Sequence, residues 1–381
     1  MKKCLTLTCG ILLLSSSFLY AESNVQGAII NKSTAQNAAN IAIGTGNEAK
    51  MGSVGISGSA VKGAVINQSN VKNAANVAIG TGNKANVGSI GIKGSAVQGA
   101  VINKSDVQNA ANIAIGTGNE ANMGSVGISG SAVKGAVINQ SNVKNAANVA
   151  IGTGNKANVG SVGIAGSAVQ GAVINKSDVQ NAANIAIGTG NEANMGSVGI
   201  SGSAVKGAVI NQSNVKNAAN VAIGTGNKAN VGSIGIKGSA VQGAVINKSD
   251  VQNAANIAIG TGNEANMGSV GISGSAVKGA VINQSNVKNA ANVAIGTGNK
   301  ANMGSVGITG SNVQGAVINK SDIQNAANIA IGTGNTANMG SVNIKNSNVK
   351  GAIINQADVK NAANIAIGTG NTSSLGSVSV E

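Results

Sequence analysis

SAVKGAVINQSNVKNAANVAIGTGNKANVGSIGIKG, residues 59–94, is the stretch that decides the fold. Its core, NAANVAIGTGNKAN, returns every 36 residues without insertion or deletion. The Gly-Thr-Gly-Asn tetrad begins at Gly44, Gly80, Gly116 and so on to Gly368, ten copies in all. A period that long and that strict specifies a repeat architecture, in which no unit buries its apolar face alone and each neighbour completes the last.

Outside the first 21 residues nearly every large aliphatic is Val or Ile, and Leu375 is the only leucine. β-Branched side chains suit strands, whereas a helical core would favour leucine. Val77 and Ile79 alternate around Ala78, Ile90 and Ile92 around Gly91, and Val61, Gly63 and Val65 make a third period-2 run. Gly and Asn at 67–73, at 80–83 and around Gly94 read as turns between them. The expectation is an all-β stack, a β-solenoid or cross-β column of ten 36-residue repeats, with all nine Val and Ile of the unit buried.

Two coils of 18 residues would place Lys84 over Ile66 and Ile102, so one layer per repeat is expected. A fainter echo at a spacing of 26, Ile66-x-x-Ser69-x-Val71 against Ile92-x-x-Ser95-x-Val97, suggests two similar strand-turn pieces within a layer. Charge supports in-register stacking. One column reads Glu48, Lys84, Glu120, Lys156 and onward in alternation to Lys300, then Thr336 and Thr372. Elsewhere Lys alternates with Gln, and no lysine follows another in any column; the only like-charge neighbours are Asp322 and Asp358. Such avoidance matters where like charges would lie directly opposite on paired strands. The columns of Asn67, Asn73, Asn76 and Asn83 are Asn in every copy. They fit either side-chain amide ladders or turn positions that tolerate a left-handed backbone.

Residues 1–21 differ in kind. Lys2 and Lys3 precede an apolar run and a small-residue end at Ala21, the pattern of a secretory signal peptide. Residues 22–381 then form the ten-repeat domain, beginning in phase and ending one residue short of a full unit, without dedicated caps. Removing the leader takes away both cysteines, the one Phe and the one Tyr, and leaves 23 lysines against 11 acids. With no His, Arg or Cys and with carboxylates only in regular columns, no enzyme, cofactor, metal site or small-molecule substrate is expected. Gly80-Thr81-Gly82-Asn83 lacks the P-loop lysine, and a calcium β-roll would need Asp where this chain has Asn.

The signal peptide, the repeats and the run Asn76-x-Ala78-x-Gly80-x-Gly82-Asn83, with Ala85 after it, resemble the secreted subunits of bacterial functional amyloid fibres, the curlin and Fap families. That resemblance implies an amyloid core, homopolymeric extracellular fibres, and a role in biofilm matrix or adhesion. A weaker one links Asn-Val-Ala-Ile-Gly at 76–80 and Gly-Ser-Ile-Gly-Ile at 88–92 to the head repeats of trimeric autotransporter adhesins. The expected partners are further copies of the chain, head to tail, and for the lysine surface acidic polysaccharide or extracellular DNA. The alternative is a monomeric or surface-attached solenoid adhesin, or an ice-binding module using the Thr81 column. No transmembrane segment is expected in the mature chain, whose place is outside the cell or on its surface.

Overall fold

The computed structural model describes residues 17–19 and 24–381, except for one or two residues at the Asn83 column of each layer. Each repeat forms one layer, and the layers stack as a β-solenoid. In the reference unit a short strand (Ala60–Val61) is followed by a long strand (Val65–Thr81), a return strand (Lys84–Val87) and a base strand (Ile90–Lys93). Every described strand from Asn24 onward pairs in parallel with its equivalents 36 residues away: Val101 lies between Val65 and Val137, and Glu120 between Lys84 and Lys156. Four parallel sheets result, and those of the short and return strands hold ten strands each.

The interior divides into two apolar columns. Base strand, short strand and the start of the long strand enclose the first, built from Ile90, Ile92, Val97 and Val101 and their equivalents. The second sets Val71 and its equivalents against the alternating Met51, Val87 and Met123 column. Between them is a waist where the turn at Gly88 meets the Ser69 and Ser105 side chains. Gly88 has φ +59, a left-handed conformation that suits glycine.

The long strand bends once, at Asn73, with φ 50. Its equivalents from Asn37 to Asn361 repeat that conformation. Asn is the side-chain-bearing residue that most readily adopts it. Residues 67–71, read from the sequence as part of a turn, are therefore strand, and only Asn73 turns. The first arm (65–72) directs Val65, Asn67, Ser69 and Val71 inward.

Past the bend the parity changes. In the eighth layer Ala290, Asn292 and Ala294 are buried, while Ala291, Val293 and Ile295 are only half-buried on the outer face. The expectation that all nine aliphatics of a unit are core is corrected here. Val61, Val65, Val71, Val87, Ile90 and Ile92 are at most 2% exposed, whereas Ile66, Val77 and Ile79 point outward. The cause is the narrow gap between the second arm (74–81) and the return strand. Ala294 and Ala301 fill it at 0% exposure, and the Asn328 amide crosses it to the Asn338 carbonyl at 2.7 Å. A β-branched side chain would force these strands apart.

Two smaller expectations also fail. The run Val61-Gly63-Val65 is not one strand, because the chain bends at Gly63 between the short and long strands. The 26-residue echo aligns outward Ile66 with inward Ile92, so the similar segments are not structural equivalents.

Gly207 lies so close to the layer before it that an added Cβ would sit 2.3 Å from the Gly171 carbonyl oxygen, whereas a Cβ on Gly235 meets nothing within 4 Å. Gly207→Ala is expected to lower the denaturation midpoint sharply, since backbone must move. Gly235→Ala is expected to be neutral or stabilising by less than ~1 kcal/mol. Chemical denaturation of both variants followed by circular dichroism checks the contrast.

Candidate functional surfaces

The Asn67 column is an unbroken buried ladder. Each side-chain N–H donates to the Oδ1 of the next layer, from Asn31 through Asn67 and Asn103 to Asn355, at 2.8–3.0 Å. Asn67 is fully buried, and at the last layer Asn355 turns its amide to the Gly376 carbonyl at 3.0 Å. That contact places the ladder at the waist, against the turn joining return and base strands.

Asn73 serves both roles foreseen for it. It is left-handed and exposed, and its amide donates to Asn37 in the preceding layer at 3.0 Å. The same bond recurs at Asn109 and onward to Asn361. The Asn76 column shows its ladder at Asn256, Asn292 and Asn328, each donating to the following layer at 2.9–3.1 Å. Asn83 lies outside the described residues.

The structure adds ladders that were not anticipated. Asn122 donates to Asn86 at 2.9 Å, and the series continues to Asn338. This column is Asn from Asn86 to Asn338, a signal interrupted by Lys50 and Ser374 in the end copies. Ser89 and Ser95 stand in columns that are Ser in every copy, and both act as turn relays. The Ser89 N–H donates to Ser53 Oγ at 3.1 Å while its own hydroxyl donates to the Val87 carbonyl at 3.0 Å. Ser95 accepts from the Ser59 N–H and donates to the Lys93 carbonyl. Turn backbone groups that strands cannot satisfy are thereby paired within the stack.

The charged column lies on the outer face of the return strand. Glu48 and Lys84 are partners in register, as are Lys84 and Glu120. Lys84 Nζ is 3.6 Å from Glu120 Oε2, and Lys228 Nζ is 3.7 Å from Glu264 Oε2. These pairs are partly solvated, so each is worth well under ~1 kcal/mol. Their ordering value lies in keeping like charges two layers apart. The Gly91 column gives them room: Glu120 Oε1 lies 3.7 Å from the place a Cβ on Gly127 would take. Thr81 and its described equivalents form an exposed row at the end of the second arm.

Among the described residues no cluster of His, Cys, Asp or Glu could hold a metal, and no helix is long and apolar enough to cross a membrane. No family model, curated protein or solved structure matches this chain.

Two tests follow from the columns. Asn211→Ala removes the acceptor of the Asn175 amide, which keeps only a long 3.4 Å contact to Ser177 Oγ, and the donor to Asn247 Oδ1, and is expected to cost about 2–4 kcal/mol. Asn217→Gly breaks the exposed ladder but keeps the left-handed bend accessible, so its cost should be under ~1 kcal/mol. Urea midpoints of the pair separate buried from exposed amides. Lys228→Glu places three carboxylates in successive layers with Glu192 and Glu264. It should depress the melting temperature at low ionic strength and recover most of the loss at ~1 M salt.

Proposed function

We propose that the chain is a secreted structural protein that polymerises head to tail into extracellular amyloid-like fibres, of the kind the curlin and Fap resemblance implies, serving biofilm matrix or surface adhesion. The observation that carries this reading is the identity of the cross-section from layer to layer, so that the strands of any layer match those of any other in length and register. In the tenth layer Leu375, Val378 and Val380 are 51%, 49% and 63% exposed, and no described residue covers them.

The first layer supports the same junction. Ser17–Leu19 pairs with Val54–Ser57 in the order Ser17↔Val54, Phe18↔Gly55, Leu19↔Ile56, one residue out of phase with the 36-residue spacing. In a fibre the Val378–Val380 strand of the preceding subunit belongs to the same column. Cleavage after Ala21 would remove the leader strand and free that edge. Across such a junction Lys350 meets Gln26, Gln356 meets Lys32 and Lys360 meets Gln36, so the Lys/Gln alternation continues unbroken. The regularly spaced lysines give the fibre a positive surface for acidic polysaccharide or extracellular DNA in a matrix, with binding that falls steeply as salt rises.

Electron microscopy and fibre diffraction on the secreted chain test the reading. Unbranched fibres with a ~4.8 Å meridional and a ~10 Å equatorial reflection are expected, with subunits each contributing ~48 Å of length. A chain that stays monomeric at high concentration after leader removal would overturn it.

A further inference from the structure

The outer face of the second arm has no assigned use in the solenoid. Its three columns, those of Ala75, Val77 and Ile79, contain only Ala, Val and Ile in all ten copies. In the described layers these side chains are half-buried by their own stack neighbours and otherwise open, with Ile79 37% exposed and Ile367 54% exposed. Every other strand face carries a lysine-bearing column: that of Lys62 at the end of the short strand, Lys72 on the first arm, Lys84 on the return strand and Lys93 on the base strand. The chain thus has one uncharged face on an otherwise basic body.

We propose that this face is a self-interface, on which two copies pack face to face about a two-fold axis perpendicular to the solenoid axis. This pairing goes beyond head-to-tail growth and needs no contact at the ends. Two physical arguments select a second copy as the occupant. The first is area. Layers spaced ~4.8 Å apart and residues ~3.3 Å apart along each strand make the face roughly 45 Å by 16 Å, about 700 Å² on each partner. A stable specific interface takes ~800 Å² per partner, whereas a lone soluble protein rarely leaves so large an apolar patch open. Lysine repulsion between two copies is also least across this face, since it alone brings no lysine column against another.

The second argument is side-chain size. The middle column alternates Val and Ile, from Val77 and Ile113 to Val293 and Ile329. Antiparallel pairing sets the second layer of one copy against the ninth of the other, the fourth against the seventh, and the fifth against the sixth. In this middle column Val77 then meets Ile329, Val149 meets Ile257 and Ile185 meets Val221, so from the second layer to the ninth each Ile faces a Val. In the same column a parallel arrangement in register would oppose Ile to Ile and Val to Val, leaving its layers alternately crowded and loose. The antiparallel form is a dry zipper between two sheets of like composition.

Cysteine cross-linking tests the pairing on the full chain with Cys4→Ser and Cys9→Ser. A mixture of Val77→Cys and Ile329→Cys copies is expected to form a mixed disulfide dimer under mild oxidation. Val77→Cys alone should not, because the two Val77 positions then lie about 34 Å apart, seven layers at ~4.8 Å. Cross-linking of Val77→Cys alone at the mixed-pair rate, or no mixed dimer at any concentration, overturns the arrangement. A second variant, Ile185→Lys with Ile257→Lys, copies the chain's own habit of placing lysine in every second layer. It should retain the β-sheet circular dichroism of the parent and reduce the paired fraction at least ~tenfold, since an unpaired ammonium is costly in a dry interface. Unchanged pairing in a folded variant would also refute the proposal. Fibre length reports the head-to-tail contact and cross-linking reports the lateral one, so each can fail without the other.

Discussion

Like stacks on like in this molecule. Parallel pairing at a constant 36-residue offset makes the neighbour above and below each residue its own counterpart, and nearly every other feature follows. Amides gain from that constraint, because the carboxamide carries a donor at one end and an acceptor at the other and forms a chain by translation alone. Aliphatic side chains gain as well, since a column of identical methyl groups closes without gaps. Ions lose, and the alternation of Lys with Glu or Gln is how the sequence meets the constraint while remaining strongly basic. Where the alternation lapses, at Asp322 over Asp358, Lys360 lies 3.1 Å from the second carboxylate and shields it.

The amide ladders also have a sense. Those of Asn67 and Asn76 donate toward the C-terminal end of the stack, whereas those of Asn73 and Asn86 donate toward the N-terminal end. Opposed pairs of dipole rows largely cancel along the axis, so a long stack does not accumulate a field from its side chains. The buried Asn67 row has a further effect on register. Slipping a strand by one residue would bring an amide over Ile66 or Gln68 and leave polar groups unpaired in the waist. Buried amides in an otherwise apolar interior therefore favour one alignment strongly over its near neighbours.

Period, strand class, layer count and the charge columns were legible in the sequence because each depends only on which residues recur at which spacing. The inward face of the second arm was not. Strict alternation separates residues 75, 77 and 79 from 74, 76 and 78 but does not say which set is inside, and hydrophobicity alone selects Val77 and Ile79. The deciding facts are the left-handed bend at Asn73, which shifts inward positions from odd to even, and the close return strand, which admits only Ala and an amide. The same bend explains why 67–71 resembled a turn: Asn and Ser are turn formers elsewhere, but here they occupy inward strand positions whose hydrogen bonds run between layers. The Ser ladders were visible as unbroken columns, yet serine suits exposed turns so readily that composition gave no reason to place it inside.

Translational sameness also makes the molecule adjustable in length. Removing the fifth and sixth repeats together would bring Lys156 beneath Glu264 and Met123 and Val159 beneath Met267 in their usual order, and shorten the rod by ~10 Å. Removing one repeat alone would set Lys156 against Lys228. The unit that can be removed or added without setting like charges together is therefore a pair of repeats. A lineage could alter the span of this protein in increments of 72 residues while its cross-section, and every surface defined by it, stays the same.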